Sequence, residues 1–531
     1  MLIIRNIVFL FPVTNQFLRY YRIHPLRSIL IVGLIFRLIA AVFSKGYAFT
    51  DDHYFVIEEA QQWIMQGGEE RSFFNPNIIT EDRLSHSSFY TFLHYSLFQF
   101  YRLIGFENPI YIMFSVRLMH AVYSLIIIYL GFKISRKLSN LKSAIQVSWM
   151  LAIAWFMPFL SVRNLVEVVC IPPLMFGTWL FLHNKRKLFL WAGIMFSVAF
   201  ALRFQTVLFS GMFGFILLSQ RKWREALQLL FGFGLGSILF LGILDFALFK
   251  MPFHELISYI DYNMTHSGEY PNGPWYQYLF VILGMLLIFA PANWIYASVL
   301  KFKTYLILFL PTLIFLLFHS YFPNKQERFI LPVFPFLIMG GILAWNELFP
   351  EKMKWNTFSM RFFWILNMPL LLALSLASTR TAKMDAMYYL FQQEDAKHFV
   401  IESSHKDYME YMPRFYGQFW QPYQHILPNC DSECFFDSAS LGVHPEPNYI
   451  LFFDKENLKE RVKRVQKRAE IERVQVIKSS WLDRLIPKLN PIVKSQEIYI
   501  YRVNGIRRVL PTTTGTTAVE SAATTESSEP S

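Results

Sequence analysis

The chain has 531 residues, of which 54% are hydrophobic, 17% are charged and 55 are phenylalanine. This composition excludes an ordinary soluble domain and indicates an integral membrane protein. The net charge of +12 does not indicate nucleic-acid binding, because basic residues in a membrane protein first report its orientation.

The N-terminal segment 1–27 is basic and lacks a small-residue cleavage site. It is therefore predicted to be a cytoplasmic or interfacial segment and not a signal peptide. The apolar run 28–43 is the first predicted span, and it delivers the residues that follow to the opposite side of the membrane.

Two adjacent carboxylates, Asp51 and Asp52, follow this span in the sequence TDDHYF. The run 51–65 that they open has an apolar face, which is typical of a helix lying in the membrane interface. An aspartate at its N-terminus can cap the helix, which accounts for one carboxylate and leaves the other available for chemistry. The segment 44–110 is predicted to be a large first loop on the extracytoplasmic side.

Further apolar runs are long enough to cross a hydrocarbon core of about 30 Å as helices, which gives about eleven spans in all. The later predicted spans are 111–132, 144–160, 168–182, 188–202, 204–219, 226–249, 276–297, 304–320, 329–346 and 360–378. In this arrangement the short connections rich in lysine and arginine all fall on the cytoplasmic side. The prediction for 28–378 is therefore an all-α polytopic membrane domain.

Beyond the last span, helix-forming and strand-like runs alternate. An odd number of spans places 379–505 on the extracytoplasmic side, and we predict a small α/β domain there. Cys430 and Cys434 lie in this region, where an oxidising compartment permits a disulfide. A zinc site is disfavoured because no second Cys/His pair follows at ligand spacing. The polar, low-complexity tail 506–531 is predicted to be disordered.

Some basic residues depart from the positive-inside pattern, because they fall on the same side as Asp51. These residues are Arg163, Arg203, Lys325 and Arg328. A basic group on the translocated side or inside a span is costly and usually functional. Together with the acidic pair, the four cations indicate a site that holds an anion beside a carboxylate.

Local ion pairs are the alternative explanation for each of these cations. Arg163 can pair with Glu167 four residues later. Arg328 can pair with Glu327 or with Asp245.

Transfer of a sugar from a polyprenyl monophosphate fits these parts. The reaction needs a base to deprotonate the acceptor hydroxyl and cations to stabilise the departing phosphate. It needs no metal ion or other cofactor, whereas a nucleotide-diphosphate donor is cytoplasmic and favours a carboxylate-bound divalent ion. A transporter or flippase of an anionic lipid is the alternative from another class, which discontinuous helices or an internal repeat would favour. The sequence shows neither.

Several motifs occur in order between residues 28 and 345. They are FTDDHYF, the run from Arg163 to Glu167, Asp245 followed by GPWYQY, and NKQERFILPVFP. This set resembles glycosyltransferase family 22, the multispan mannosyltransferases of lipid-linked-oligosaccharide and GPI-anchor synthesis, which have the GT-C fold. The corresponding family motifs are His-Pro-Asp-Glu, Arg-(x)-Asn-x-x-Glu, an Asp before a long lumenal loop with Pro-Trp-x-x-Tyr, and His-Lys-Glu-x-Arg-Phe.

The chain departs from the family pattern in two motifs. Asn324 replaces His and Gln326 replaces Glu, and Phe49 and Thr50 stand where the family has His-Pro. Roles tied to those positions do not carry over to this chain, so the identity of the transferred sugar stays undecided. A catalytically inactive family member is a further alternative. The divergence favours a bacterial inner membrane over an endoplasmic reticulum membrane.

The resemblance implies an inverting mannosyltransferase that uses a dolichyl- or other polyprenyl-phosphate mannose. Its acceptor is expected to be a lipid-linked glycan or glycolipid, bound on the extracytoplasmic face among the membrane lipids. Asp51 is the expected base, and Asp52 a second carboxylate that orients the acceptor or shares that role. The expected phosphate contacts are Arg163, Arg203, Lys325 and Arg328. The residues expected to support the site or to contact the acceptor are Glu167, Asp245, His266 and Trp275.

Overall fold

The computed structural model describes residues 15–65, 86–266, 268–269, 272–349, 354–404, 410–418, 423–426, 430–489 and 497–507. The chain folds as two compact units, and the boundary between them lies between Ala377 and Ser378. The predicted tail, 506–531, falls almost entirely outside the described residues.

The first unit is helical. Its helices as far as residue 202 are α1 (Asn15–Ile23), α2 (Pro25–Phe43), α3 (Thr50–Asp52), a π-helical turn (His53–Glu58), α4 (Glu59–Met65), α5 (Ser88–Leu103), α6 (Pro109–Tyr123), α7 (Leu125–Leu138), α8 (Leu141–Ile153), α9 (Met157–Ser161), α10 (Val166–Val169), α11 (Ile171–Phe181) and α12 (Arg186–Leu202).

The remaining helices of this unit continue to its end. They are α13 (Thr206–Ser219), α14 (Trp223–Ser237), a π-helical turn (Ile238–Gly242), α15 (Ile243–Phe249), α16 (His254–Thr265), α17 (Gln277–Met285), α18 (Phe289–Leu300), α19 (Leu306–Tyr321), a 3-10 turn (Glu327–Val333), α20 (Phe334–Leu348) and α21 (Lys354–Ser375).

Some of these helices are long and apolar enough to cross a membrane. By length and composition they are Pro25–Phe43, Pro109–Leu138, Trp223–Phe249, Glu327–Leu348 and Thr357–Ser375. Shorter apolar helices are Leu141–Ile153, Val166–Phe181, Thr206–Ser219 and Leu306–Tyr321. The helical membrane architecture is therefore present, and the count of eleven spans stays a prediction.

Two of the predicted spans are interrupted. The run 144–160 breaks after Ile153, because Pro158 has no N–H to donate to the carbonyl of Ala154 and its ring crowds that carbonyl. The run 276–297 breaks between α17 and α18, where Leu287 and Ile288 adopt left-handed backbone angles with φ of 60° and 58°. Such angles cannot continue a right-handed helix.

Helix starts and close helix contacts follow from local sequence. The Asn108 side chain accepts a hydrogen bond of 3.0 Å from the Ile110 N–H at the start of α6, where Pro109 needs no donor. Helices α12 and α14 touch through glycines: a Cβ on Gly193 would lie 2.2 Å from the Leu229 carbonyl oxygen. Backbones this close leave no room for a side chain.

Arg37 is an example of a buried arginine with a structural role. It lies inside α2 and donates to the Ser124 hydroxyl at 2.9 Å and to the carbonyl oxygen of Ala152 at 2.9 Å. It also donates to the carbonyl oxygens of Gly33 and Leu151. These bonds tie α2 to the helices beside it.

The second unit contains a five-stranded sheet with strand order β2-β1-β3-β5-β4. β1 pairs in parallel with β2 and β3, whereas β5 pairs antiparallel with β3 and β4. The elements are α22 (Thr381–Phe391), β1 (Phe399–Ser403), α23 (Arg414–Gly417), β2 (Gln424–His425), α24 (Ser432–Ser440), β3 (Tyr449–Phe453), α25 (Leu458–Gln466), β4 (Ala469–Ile477), α26 (Trp481–Leu489) and β5 (Ile498–Ile506).

The core of this unit is apolar and includes Val400, Ile450, Phe452 and Phe436. Cys430 and Cys434 form a disulfide bond at the start of α24. The sequence permitted this disulfide without requiring it, and the structure contains it.

Candidate active site

The acidic pair lies in the first turn of a short helix. Phe49, immediately before α3, has an extended backbone, and no side chain caps this helix. The expectation that one aspartate caps the helix is therefore wrong. Both carboxylates instead bind a guanidinium group that is 276 and 277 residues away in the chain.

Arg328 is that guanidinium group. Its Nη1 donates to Asp52 Oδ2 at 2.7 Å, its Nη2 donates to Asp51 Oδ2, and its Nε donates to Gln326 Oε1 at 2.8 Å. The ring of Phe49 lies 4.7 Å from the guanidinium carbon. A planar fork that binds two carboxylates fixes both in position, which a lysine cannot do.

A third carboxylate, Glu167, lies beside this arginine. Its Oε1 accepts a bond of 2.7 Å from Arg203 Nη1 and lies 3.6 Å from Arg328 Nε. The local pairs considered from the sequence are thus replaced by long-range pairs, because the helices fold Arg203 and Arg328 onto Glu167. Three carboxylates and two guanidinium groups form one ion-pair cluster.

The two aspartates have different environments. The Asp52 side chain is 6% exposed, and its Oδ1 accepts from the Val166 N–H at 3.2 Å. The Asp51 side chain is 38% exposed. Burial and the charge of Glu167 raise the pKa of Asp52, and Arg328 opposes that shift. Asp51 is consequently the carboxylate that a solvent-borne or lipid-borne substrate can reach.

Several buried polar atoms of the cluster and of the nearby His319 have no hydrogen-bond partner among the residues that the structure describes. They are Arg203 Nε and Nη2, Glu167 Oε2 and His319 Nε2. The Phe329 ring lies 5.1 Å from the Arg203 guanidinium carbon. Buried polar groups are normally satisfied, so an orphaned set of this kind calls for a ligand or ordered water.

Lys325 lies in the loop between α19 and the 3-10 turn. It is partly exposed, and its Nζ donates to the Phe322 carbonyl oxygen at 2.7 Å. Partial burial lowers the pKa of its ammonium group. An isolated bridge between Asn272 and Asn324 holds the loop, and Tyr278 donates to the Gln326 carbonyl oxygen at 3.3 Å.

The other predicted phosphate contact, Arg163, binds backbone carbonyl groups. Its Nη1 donates to the carbonyl oxygens of Lys45 and Gly46 at 3.2 and 3.1 Å, and its Nη2 donates to that of Ala377 at 3.4 Å. These bonds hold the start of the first loop, which carries Asp51.

The four residues predicted to support the site lie in different surroundings. Glu167 belongs to the ion-pair cluster, as described. Asp245 is buried, and its Oδ2 accepts from the Glu255 N–H at 3.1 Å at the start of α16. His266 stacks on Tyr262 of its own helix, with ring centroids 4.6 Å apart.

Trp275 is 73% exposed and contacts Tyr276 edge to face. It lies on the surface of the loop before α17. Of the four residues, Glu167 thus belongs to the ion-pair cluster, whereas Asp245, His266 and Trp275 contact other residues.

His86, which is not among the predicted site residues, also lies near the site. Its ring stacks on Phe55 at 4.8 Å. It also interacts electrostatically with Asp51, Glu167 and Arg328. Nothing in its spacing from the acidic pair could have indicated this.

A second layer supports Asp52. The Asn164 side chain donates to the Asp52 carbonyl oxygen at 2.9 Å and accepts from the Tyr90 hydroxyl at 2.7 Å. Tyr90 in turn lies 2.6 Å from His120 Nε2. Asn164 belongs to a motif found in the sequence, whereas the two ring residues gave no signal.

In the described ranges no group of three or more His, Cys, Asp or Glu side chains has an arrangement suited to a metal ion. The clustered carboxylates are directed at arginines. Chemically, the arrangement offers one accessible carboxylate that is held by a cation, beside further unsatisfied donors and acceptors.

Comparison with known proteins gives a family. The model of the Alg9-like mannosyltransferase family matches residues 28–407. No curated protein sequence matches the chain.

Solved structures give a fold. Two crystal structures of ArnT from Cupriavidus metallidurans, one bound to undecaprenyl phosphate and one in the apo state, each align with a TM-score of 0.58. The identity is 12%, and the alignment covers 89% of this chain and 97% of the other. An oligosaccharyltransferase of Archaeoglobus fulgidus, in complex with Zn and sulfate, aligns with a TM-score of 0.49 and 12% identity, over 80% and 67% of the two chains. The ArnT similarity is one of fold alone, and that fold is GT-C.

Proposed function

The chain belongs to the Alg9-like mannosyltransferase family of membrane glycosyltransferases, and from that premise we propose that it transfers mannose from a polyprenyl-phosphate donor to a lipid-linked glycan or glycolipid. The donor class is supported by the family and by the accessible carboxylate beside cations. The proposed acceptor shares the membrane with the donor, so both reacting groups can reach a site at the interface. We place that site on the extracytoplasmic side.

The observation that carries this proposal is the pairing of Asp51 with Arg328. These residues lie 277 positions apart within the family match, and they meet at a partly exposed carboxylate. An arginine fork holds the carboxylate oxygen in a defined direction without covering the whole group. A general base needs such placement before its pKa matters.

The proposed reaction is a single displacement. Asp51 accepts the proton of an acceptor hydroxyl while the hydroxyl oxygen forms a bond to the anomeric carbon of the donor sugar. The bond from that carbon to the phosphate oxygen breaks, and the phosphate leaves with the bonding electrons. Attack opposite the leaving group inverts the configuration at the anomeric carbon.

The cations have divided roles in this proposal. Lys325 has one described bond, to a carbonyl oxygen, so its ammonium can donate further to the departing phosphate. Arg328 orients Asp51 and offsets its charge. Arg203 contributes to donor binding through the donors that Glu167 does not use, and Arg163 contributes by holding the first loop.

The remaining residues are proposed to support the site. Asp52, with its buried bonds to Arg328 and Val166, fixes the turn on which Asp51 lies. Asp245 orders the start of the loop helix α16. His266 and Trp275 lie in the long loop and are proposed to contact the acceptor.

Transfer from radiolabelled polyprenyl-phosphate mannose by the purified full-length protein tests this proposal. Asp51→Asn should lower transfer by about 10²- to 10⁴-fold, the usual contribution of a general base, while leaving the melting temperature unchanged. Asp261→Asn, the same change at an exposed position in α16, should retain full transfer. Full activity of Asp51→Asn would overturn the assignment of the base, and movement of labelled lipid across vesicles without transfer would indicate a transporter instead.

A further inference from the structure

His319 lies near the end of α19. Its side chain is buried, with 4% of the residue exposed. Its Nδ1 lies 2.8 Å from the Phe315 carbonyl oxygen. A carbonyl oxygen only accepts, so Nδ1 carries the proton, and in the neutral ring Nε2 presents a lone pair. Among the described residues nothing donates to that lone pair.

Arg203 and Glu167 also carry unsatisfied atoms. Two nitrogens of Arg203, Nε and Nη2, and one oxygen of Glu167 have no partner in the described part of the chain. Both residues are buried, at 7% and 1% exposure.

The ring of Phe329 joins His319 to Arg203. Its centroid lies 6.3 Å from the His319 ring and 5.1 Å from the Arg203 guanidinium carbon. His319 and Arg203 also interact electrostatically. His319 and Arg203 therefore both lie beside this ring.

The unsatisfied atoms of Arg203, Glu167 and His319 indicate which chemical group could bind to them. They combine donors on Arg203 with acceptors on His319 and Glu167, and Glu167 already offsets the charge of Arg203. A phosphate group only accepts in its ionised form, so it would face a carboxylate and a nitrogen lone pair. A hydroxyl both donates and accepts, and it can satisfy both kinds of atom.

We propose that Arg203, Glu167 and His319 form the subsite that recognises a hydroxyl group of the donor sugar, with His319 Nε2 accepting its proton and Arg203 donating to its oxygen. This inference rests on the proposed function and refines it. It assigns Arg203 to the sugar, whereas the sequence suggested a phosphate contact, and it leaves the phosphate to Lys325. His319 is then a residue that determines which sugar is bound.

Two substitutions at position 319 separate this role from a structural one. Asparagine reproduces the position of Nδ1 and can keep the bond to Phe315, but it has no atom at the position of Nε2. Glutamine places a polar atom near the position of Nε2. A purely structural requirement for the Phe315 bond would favour asparagine, whereas sugar recognition favours glutamine.

The experiment measures binding of two lipids to the full-length protein in nanodiscs, polyprenyl-phosphate mannose and the same polyprenyl phosphate without sugar. His319→Asn should raise the Kd of the mannosylated lipid about 3- to 10-fold, the effect of one lost hydrogen bond. His319→Gln should stay within about 2-fold of the wild type. The bare lipid should bind all three proteins equally, whereas Lys325→Met should weaken both lipids.

Deoxymannosyl lipids identify the hydroxyl. The penalty of His319→Asn should disappear for the one deoxy lipid that lacks the recognised group. The wild type should bind that lipid about 3- to 10-fold more weakly than the mannosylated lipid. If His319→Asn does not fold, wild type and His319→Gln still give this second readout.

The outcomes separate the two proposals. Equal weakening of both lipids by His319→Asn, or equal binding of every deoxy lipid, overturns the sugar subsite even where transfer is observed. Selective weakening of the mannosylated lipid supports the subsite even if no transfer occurs, and the absence of transfer then overturns the proposed function alone. A wild type that binds neither lipid overturns both.

Discussion

Two buried arginines, Arg461 in the second unit and Arg203 in the first, both pair with a glutamate, yet only one of them is saturated. Arg461 donates to Glu402 at 2.5 Å through Nη1, and its other nitrogens donate to the carbonyl oxygens of Glu456, Phe453 and Asp454 at 2.8 to 3.0 Å. Arg203 donates to Glu167 through one nitrogen, and its other two have no partner in the described ranges.

The two arginines show that buried ion pairs differ in how many of their donors are used. A guanidinium group whose donors are all used holds protein segments together, as Arg461 joins β1, the end of β3 and the loop before α25. A guanidinium group left incomplete in a buried position carries an energetic cost that a ligand can remove. Saturation therefore distinguishes Arg461, which holds segments together, from Arg203, which we propose binds a ligand.

The largest expected effect breaks the saturated pair. Arg461→Met leaves Glu402 buried without its cation, and we expect the free energy of unfolding of the second unit to fall by about 3–5 kcal/mol. Transfer per folded molecule should not change. Chemical denaturation followed by the fluorescence of the protein, together with the transfer assay, measures both quantities. A stable but inactive variant would contradict the structural assignment.

The next effect concerns the fork of Arg328. Arg328→Lys keeps the charge but binds one carboxylate at a time, so Asp51 loses its fixed direction. We expect kcat/KM to fall about 100-fold, the scale that a small misplacement of a catalytic group produces. The melting temperature should change little in comparison with Arg461→Met. Wild-type kinetics of the lysine variant would show that the charge alone suffices.

The smallest effect is the pH dependence linked to Asp52. Its pKa is raised in the folded protein, mainly by burial, so the folded state retains a proton that the unfolded state releases. Stability from this group is therefore present at low pH and falls as pH rises above the unfolded-state pKa of about 3.9. The slope cannot exceed about 1.4 kcal/mol per pH unit.

Melting curves of wild type and Asp52→Asn between pH 5 and 8 check this sign. The wild type should lose stability relative to the variant as the pH increases, because asparagine does not titrate. The opposite slope would mean that Arg328 outweighs burial and that the pKa of Asp52 is lowered.

Much of the architecture could be predicted from the sequence. The helices at 186–202 and 206–219 match the predicted spans closely, because each is a continuous apolar run bounded by basic residues. The break at Leu287 and Ile288 has a sequence signal that the predicted span 276–297 ignored, because Pro291 has no N–H for the Leu287 carbonyl, as Pro158 has none for that of Ala154. The positive φ angles of Leu287 and Ile288 could not be predicted, since neither residue favours them.

The members of the ion-pair cluster could be named from the sequence, but their pairing could not. Asp51 and Arg328 were singled out by the charge pattern along the chain, and Glu167 by its place in a motif. Their partners were not, because Arg203 and Glu167 are 36 residues apart and meet only through helix packing. His319 escaped notice because one histidine in an apolar helix usually packs in the core.

We propose that Asp51 and Arg328 act as one catalytic unit, although 277 residues separate them. A double-mutant cycle on transfer with Asp51→Asn, Arg328→Lys and the double variant tests it most directly. We expect the double variant to be no slower than Asp51→Asn alone, because the residue at position 328 then has no catalytic carboxylate left to orient. Losses that multiply, as for two independent residues, would contradict it.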